Sequence, residues 1–413
     1  MRDWLLFIGG NKRLLNFGFL FNFFSSFGQT FFISLFVPFW IDSLQISSTT
    51  FGSVFAVVTV ISAIFLSFTG KYIDILPVRT YGLIVFSGLM ISIALLSQVY
   101  HFTLLILALF LVRWFGQGLM THTSSTGIAK YFDHHRGKAL GITTLGHPIA
   151  QFLLPLLVIP LIAIVGWRET LIYLAIAAFI LVIPSLWAIK VITNSKDQIL
   201  KKPINSDEVS INYFKNKQFW IIASNVFVIP FLCTAIFLYQ YMIGQSKGWD
   251  PSWVAFSFAF FAIFSAAALL VSGYLIDNYS GTFLFPLYLI PAIIAFVLIV
   301  SIDSKWIFPI FYGLLGMSSG LGSTVKTALQ TEVYGSANLG KIRSYFSTIL
   351  VLSTAVGPPL VGLLLDTQFS MPLIMGLMGC IILVVFIMSF KVWEIKQYDQ
   401  LASLINKTAM FWF

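Results

Sequence analysis

Two cations, Arg113 and Lys326, lie inside long apolar stretches that otherwise carry almost no charge. A charge at the centre of a bilayer costs about 2.5–3.5 kcal/mol on insertion scales, so each must face water, a partner or a ligand. None of the 15 acidic residues falls in the middle of an apolar stretch. The nearest is Glu332, six residues after Lys326. Deep cations without an acid attract an anion. Arg offers a planar fork that grips a carboxylate through two bonds, and Lys a point charge. The other reading of Arg113 is a purely structural role. The others for Lys326 are snorkelling toward the nearer surface and pairing with Glu332.

Helical spacing adds neutral polar groups. Tyr312, Ser319, Lys326 and Gln330 recur on one stripe at 100° per residue, and Gln117 shares the Arg113 face one turn on. Asn22, Ser26 and Gln29 form a second stripe, and Asn225, Tyr239 and Gln240 share a broad sector. Groups of this kind hydrogen-bond substrates, and equally they glue helices together in a membrane. His147 and Glu332 are the candidates for a group that takes up and releases a proton, the histidine because it titrates near neutral pH. His122, nine residues from Arg113, points away from the Arg113 face. Cys233 and Cys380 both lie in apolar runs, giving neither a disulfide framework nor a metal-ligand pattern. No nucleophile–base pair, paired acids or nucleotide-binding loop is present, so neither an enzyme nor a bound cofactor is expected.

The elements that must hold these groups are membrane helices. Hydrophobic residues make up 58% of the 413 and charged residues 9%, with mean hydropathy +0.93, which excludes a soluble fold of this length. The apolar runs are continuous over about 20 residues, the span of a helix, where a barrel strand alternates over about ten. Twelve spans are predicted: 14–41, 51–73, 81–100, 103–130, 139–165, 170–190, 219–245, 253–276, 282–301, 306–331, 343–365 and 371–391. They give an N-terminal half over 1–190, a polar linker over 191–218, a C-terminal half over 219–392 and a tail over 393–413. Met1 to Arg13 carries no cleavable signal pattern. Of the 24 Lys and Arg residues, 19 fall in segments or at span ends on the N-terminal side of the membrane, three on the opposite side and two, Arg113 and Lys326, deeper within spans. The positive-inside rule therefore puts both termini in the cytoplasm of a multi-pass plasma (inner) membrane protein. The same distribution explains the net charge of +9 without nucleic acid.

A shift of 203 residues superposes Asn22 on Asn225, Gly70 and Asp74 on Gly273 and Asp277, Tyr131 on Tyr334, and Gly137-Lys138 on Gly340-Lys341. Two six-helix parallel repeats are an architecture of secondary transporters, with the site near the bilayer midplane.

At these residues the chain resembles the major facilitator superfamily over essentially its whole length. Gly70-Lys71-Tyr72-Ile73-Asp74 with Arg79 matches the family's loop between spans 2 and 3, although Pro77 and Val78 replace a usual glycine and a usual basic residue. Arg113-Trp114-Phe115-Gly116-Gln117-Gly118 matches its span-4 signature. Tyr131-Phe132-Asp133-His134-His135-Arg136-Gly137-Lys138, with Gly166-Trp167-Arg168, is similar to the monocarboxylate and oxalate/formate branch. The span-5 antiporter signature is absent. The resemblance implies an all-α fold of twelve transmembrane helices in which spans 1, 4, 7 and 10 line a central cavity, with Arg113 and Lys326 on its walls. It implies that Gly70, Asp74, Arg79, Gly273 and Asp277 stabilise one access state.

The function these readings predict is alternating-access transport of a small organic anion, a carboxylate first. Its coupling partner would be a proton or a counter-anion, and its working form a monomer in the bilayer. The alternative is a neutral, zwitterionic or amphipathic substrate, with both cations structural.

Overall fold

The computed structural model describes residues 2–132, 136–189, 215–334 and 339–393. The linker and tail assigned from the sequence lie almost wholly outside them, as do Asp133, His134 and His135. Among the described residues there are helices and short connections and no strand. Ten helices are long and apolar enough to cross a membrane. The first and tenth segments complete the twelve, one because it is broken, the other because Gly, Ser, Thr and Lys326 dilute it.

The chain packs as two compact units. The first takes residues 1–202 together with 234–262 and 354–368. The second takes 203–233, 263–353 and 369–413.

In the first unit, α1 starts at Arg2, twelve residues before the predicted span, and runs as Arg2–Ser25 with a kink at Asn11. The Asn11 side-chain amide donates to the Phe7 carbonyl at 3.0 Å beside the kink. A tight turn at Ser26–Gly28 and an extended Gln29 (φ −86°, ψ 152°) then break the helix. It resumes as Thr30–Ile33 and Val37–Leu44. The predicted unbroken span 14–41 is therefore corrected: the chain bends where Gly28 meets another backbone, as described below.

Helix α2 is Ser48–Thr69, its start capped by the Ser47 hydroxyl accepting from the Thr50 amide at 3.1 Å. Helix α3 is Val78–Ser97, entered through Pro77. Helix α4 is Phe102–Val112 continued by Thr121–Tyr131, with a wider π-helical stretch over Arg113–Met120 between them. Such bulges are rare and gather at functional sites. Helix α5 is Arg136–Thr144 and Gly146–Val165. Gly166, at φ +89°, turns the chain into α6, Trp167–Trp187. The outer part of α7 (Lys217–Ser246), the start of α8 (Pro251–Tyr279) and the end of α11 (Leu339–Asp366) complete this unit. "Outer" here means the face opposite the N-terminus.

Its core is aromatic. Phe17, Phe21, Phe27, Phe32, Phe36, Trp40, Phe51 and Phe55 are all fully buried. Phe27 stacks on Phe32 at 4.6 Å and Trp40 on Phe51 at 6.2 Å. Large apolar side chains such as Val57, Ile64, Phe68 and Ile164 stay exposed, as a lipid-facing surface requires. Because lipid is as apolar as these side chains, close packing and interhelical hydrogen bonds supply the helix–helix attraction.

The second unit holds the inner part of α7, the rest of α8, α9 (Gly281–Leu287 and Ile290–Ser301), α10 (Ile307–Tyr334), the start of α11, and α12 (Met371–Ser389). The two halves of α9 are tied to its neighbours. The Ala292 amide, freed at the break, donates to the Ser318 hydroxyl at 2.8 Å. The Thr282 carbonyl accepts from the Trp393 indole at 2.8 Å.

Candidate functional site

Arg113 opens the π-helical stretch of α4 and is 1% exposed. Its Nη1 donates to the Gly28 carbonyl at 3.1 Å, and its guanidinium lies 4.7 Å from the centre of the Phe55 ring. Gly28 ends the broken turn of α1, where the helix no longer supplies its carbonyl with a partner. The Cβ of any other residue at Gly28 would sit 2.9 Å from the Gly116 carbonyl carbon, so only glycine lets the two backbones meet. Among the described residues, Nε and Nη2 of Arg113 have no hydrogen-bond partner. Gln117, one turn on, is half-buried, as is Gln29 at the extended residue of α1.

Asn22 is engaged elsewhere. Its amide nitrogen lies 2.6 Å from the Ser124 hydroxyl, 3.0 Å from the Thr143 carbonyl and 3.2 Å from the Gly18 carbonyl, joining α1 to α4 and α5. Neither Ser124 nor Thr143 stands out in the sequence, because a helix-gluing serine looks like any other small residue. His147 Nδ1 lies 3.4 Å from the Ser26 hydroxyl, with its ring edge-on to Phe31. Tyr239 is buried and donates to the Ser48 carbonyl at 2.8 Å.

In the second unit, Lys326 is half-buried on α10, its Nζ 5.9 Å from the centre of the Tyr288 ring, within cation–π reach. The Cys233 thiol of α7 lies in its electrostatic neighbourhood. Among the described residues no carboxylate pairs with it. Glu332 does not supply that partner. Its two oxygens accept from the Gly281 amide at 2.6 Å, and from the Thr282 amide at 3.0 Å and hydroxyl at 2.6 Å, capping the start of α9. The Tyr288 hydroxyl donates to the Asn225 side chain, whose nitrogen donates to the Ser389 hydroxyl at 2.8 Å. Lys326 thus lies over the ring of Tyr288, whose hydroxyl begins a hydrogen-bonded chain through Asn225 of α7 to Ser389 of α12. Tyr312 and Gln330 are buried on the Lys326 helix, and Ser319 is half-buried. Tyr288 and Cys233 are the neighbours that sequence reading missed. A tyrosine in an apolar helix and a lone cysteine carry no signal of their own.

At the inner end, Asp74 forms an ion pair with Lys130 at 2.8 Å, and Lys130 also donates to the Ile73 carbonyl at 2.7 Å. The loop is thereby fastened to the end of α4. Gly70 is buried beside His122, and the Arg79 guanidinium lies 3.9 Å over the Trp187 ring. Gly273 has open space around it. The side chain of Asp277 lies outside the described residues.

A broken α1 and a π-bulged α4 around the buried Arg113, in a membrane chain whose described residues form helices and short connections and whose sequence repeats, point to a membrane carrier. The chain belongs to the Major Facilitator Superfamily, whose sequence model matches residues 18–308 and 242–400. It is a secondary transporter that works by alternating access, and not an enzyme. No curated protein sequence matches it. Among solved structures it is similar to a bacterial homolog of the human lysosomal transporter Spinster, in an inward-facing and occupied conformation. The identity is 14% and the TM-score 0.69, over 95% of this chain and 97% of that one. It is also similar to the nucleoside transporter NupG, at 12% identity and TM-score 0.72, over 92% of this chain and 97% of that one. At these identities the likeness establishes the fold.

Proposed function

We propose that the protein carries a small organic anion, a carboxylate in the first instance, across the plasma (inner) membrane as a monomer with both termini cytoplasmic. On this reading it stands with the monocarboxylate and oxalate/formate branch. The observation that supports it is Lys326, a half-buried ammonium deep in α10 with no carboxylate partner among the described residues. A substrate carboxylate is the group this environment lacks. In the first unit, Arg113 is a separate cation whose Nε and Nη2 have no hydrogen-bond partner among the described residues. The neutral groups proposed to bond substrate oxygens are Ser319 and Gln330 on the helix of Lys326 and, within the first unit, Gln117 and Gln29. Asn22, Asn225, Tyr239 and Tyr312 contribute by holding the helices.

Exchange for a counter-anion is the coupling this reading favours over a proton. Both oxygens of Glu332 already accept hydrogen bonds, and His147 packs between Ser26 and Phe31.

A second reading draws on the burial of Arg113 against Phe55 and Gly28, which suits a structural role and a neutral or zwitterionic substrate. Thermal unfolding of the purified protein separates the two. Small mono- and dicarboxylates should raise the transition temperature by mass action, and the rise should vanish in Lys326→Gln. A rise with nucleosides or other uncharged compounds, and none with carboxylates, defeats the anion reading.

A further inference from the structure

Three residues from the second half of the chain reach the outer ends of α1 and α2, inside the first compact unit. The buried Tyr239 hydroxyl donates to the Ser48 carbonyl at 2.8 Å. The buried Gln240 amide donates to the Ser34 hydroxyl at 2.8 Å, in the gap where α1 is not helical. The Asp366 carboxylate, at the end of α11, accepts from the Ser48 amide at 3.1 Å and the Thr49 amide at 2.7 Å. An anion there faces the positive end of α2's dipole and satisfies two amides that the helix leaves without partners. The bonds cross 191 to 318 positions of sequence.

The backbones around them are in contact. A Cβ on Gly52 of α2 would lie 2.6 Å from both the Pro358 carbonyl oxygen and the Tyr239 hydroxyl. A Cβ on Gly362 of α11 would lie 2.8 Å from the same hydroxyl. Phe31 stacks on Phe258 at 5.8 Å beside them.

We propose that Tyr239, Gln240 and Asp366 form a latch that closes the outer ends of α7 and α11 onto α1 and α2, and that its release is the step that opens the outer face. The composition of the contact suits a joint that is made and broken. Glycines give close approach without interlocked side chains, and a few polar bonds hold it. Water can replace each bond once the contact parts. Asp366 is solvent-exposed, so its two bonds exchange with water first. The proposal rests on alternating access alone and is independent of the substrate.

The test uses the full chain in nanodiscs, with Cys233→Ser and Cys380→Ser. Nitroxides at Ser43→Cys and Thr367→Cys, both exposed at the outer end, report their separation by pulsed electron resonance. The parent should show a short distance. Tyr239→Phe, Gln240→Leu and Asp366→Asn together should raise the ratio of long to short distances at least about tenfold, given about 1 kcal/mol per lost hydrogen bond. Gly52→Val should populate the long distance by preventing closure. Asp366→Asn alters only an exposed side chain, so it is read alone if the triple variant does not fold. An unchanged distance distribution in Asp366→Asn and Tyr239→Phe, each eluting as a folded species, overturns the latch.

Discussion

The Arg113 guanidinium donates to the carbonyl of Gly28 at 3.1 Å, across 85 positions of sequence and at the point where α1 is broken. A residue that reads as an isolated charge in an apolar span is thus the partner of a backbone group that a helix break leaves over. The bond joins the bend of α1 to α4, and Nε and Nη2 are left without a hydrogen-bond partner among the described residues.

Arg113→Ala should therefore cost stability as well as activity. Losing a charged donor to a buried carbonyl is worth about 1.5–3 kcal/mol. Thermal unfolding should fall clearly below the parent even without ligand. An unchanged transition would show that the Gly28 bond carries no weight.

Gly116→Val tests the backbone contact. A Cβ at Gly116 would lie 2.8 Å from the Gly28 amide nitrogen and 2.9 Å from its Cα. Overpacking of this kind costs about 1–3 kcal/mol. Gly141→Ala, with nothing within 4 Å of the added Cβ, should leave the transition within about 0.5 kcal/mol of the parent.

Lys326→Gln should weaken carboxylate binding about 10- to 150-fold, the equivalent of 1.5–3 kcal/mol for one charge-assisted bond. Lys326→Arg keeps the charge and should recover part of it. Titration calorimetry reads both. Equal weakening by Gln and Arg would assign Lys326 to packing on Tyr288.

Glu332→Gln should lower stability by about 0.5–2 kcal/mol, through loss of the negative cap on α9. Carboxylate binding should remain at the parental level. A selective loss of proton-driven uptake, with stability intact, would return Glu332 to a coupling role.

Asp74→Asn removes an ion pair whose acid is 68% exposed. Its effect on stability should stay below about 1 kcal/mol, measured by thermal unfolding. A larger loss would mean the loop contact with Lys130 holds more of the fold than its exposure suggests.

The sequence by itself determined the membrane class, the repeat and the helical spans other than the first. Hydropathy over about 20 residues is a local property, and the price of a buried charge marks Arg113 and Lys326 without any structure. Similar spacing also picked out Asn22 and Asn225, but spacing gives only a face of a helix. Tertiary structure decided what each face meets: Asn22 meets Ser124 and Thr143, Asn225 meets Ser389 and Tyr288, and Glu332 turns from Lys326 to the start of α9. The break in α1 was equally hidden. Residues 14–41 are apolar enough to run unbroken, and the bend exists because Gly28 packs on Gly116 while Arg113 takes its carbonyl. A hydrogen-bond partner far along the chain leaves no trace in local composition, so those pairings became visible only once the helices had packed.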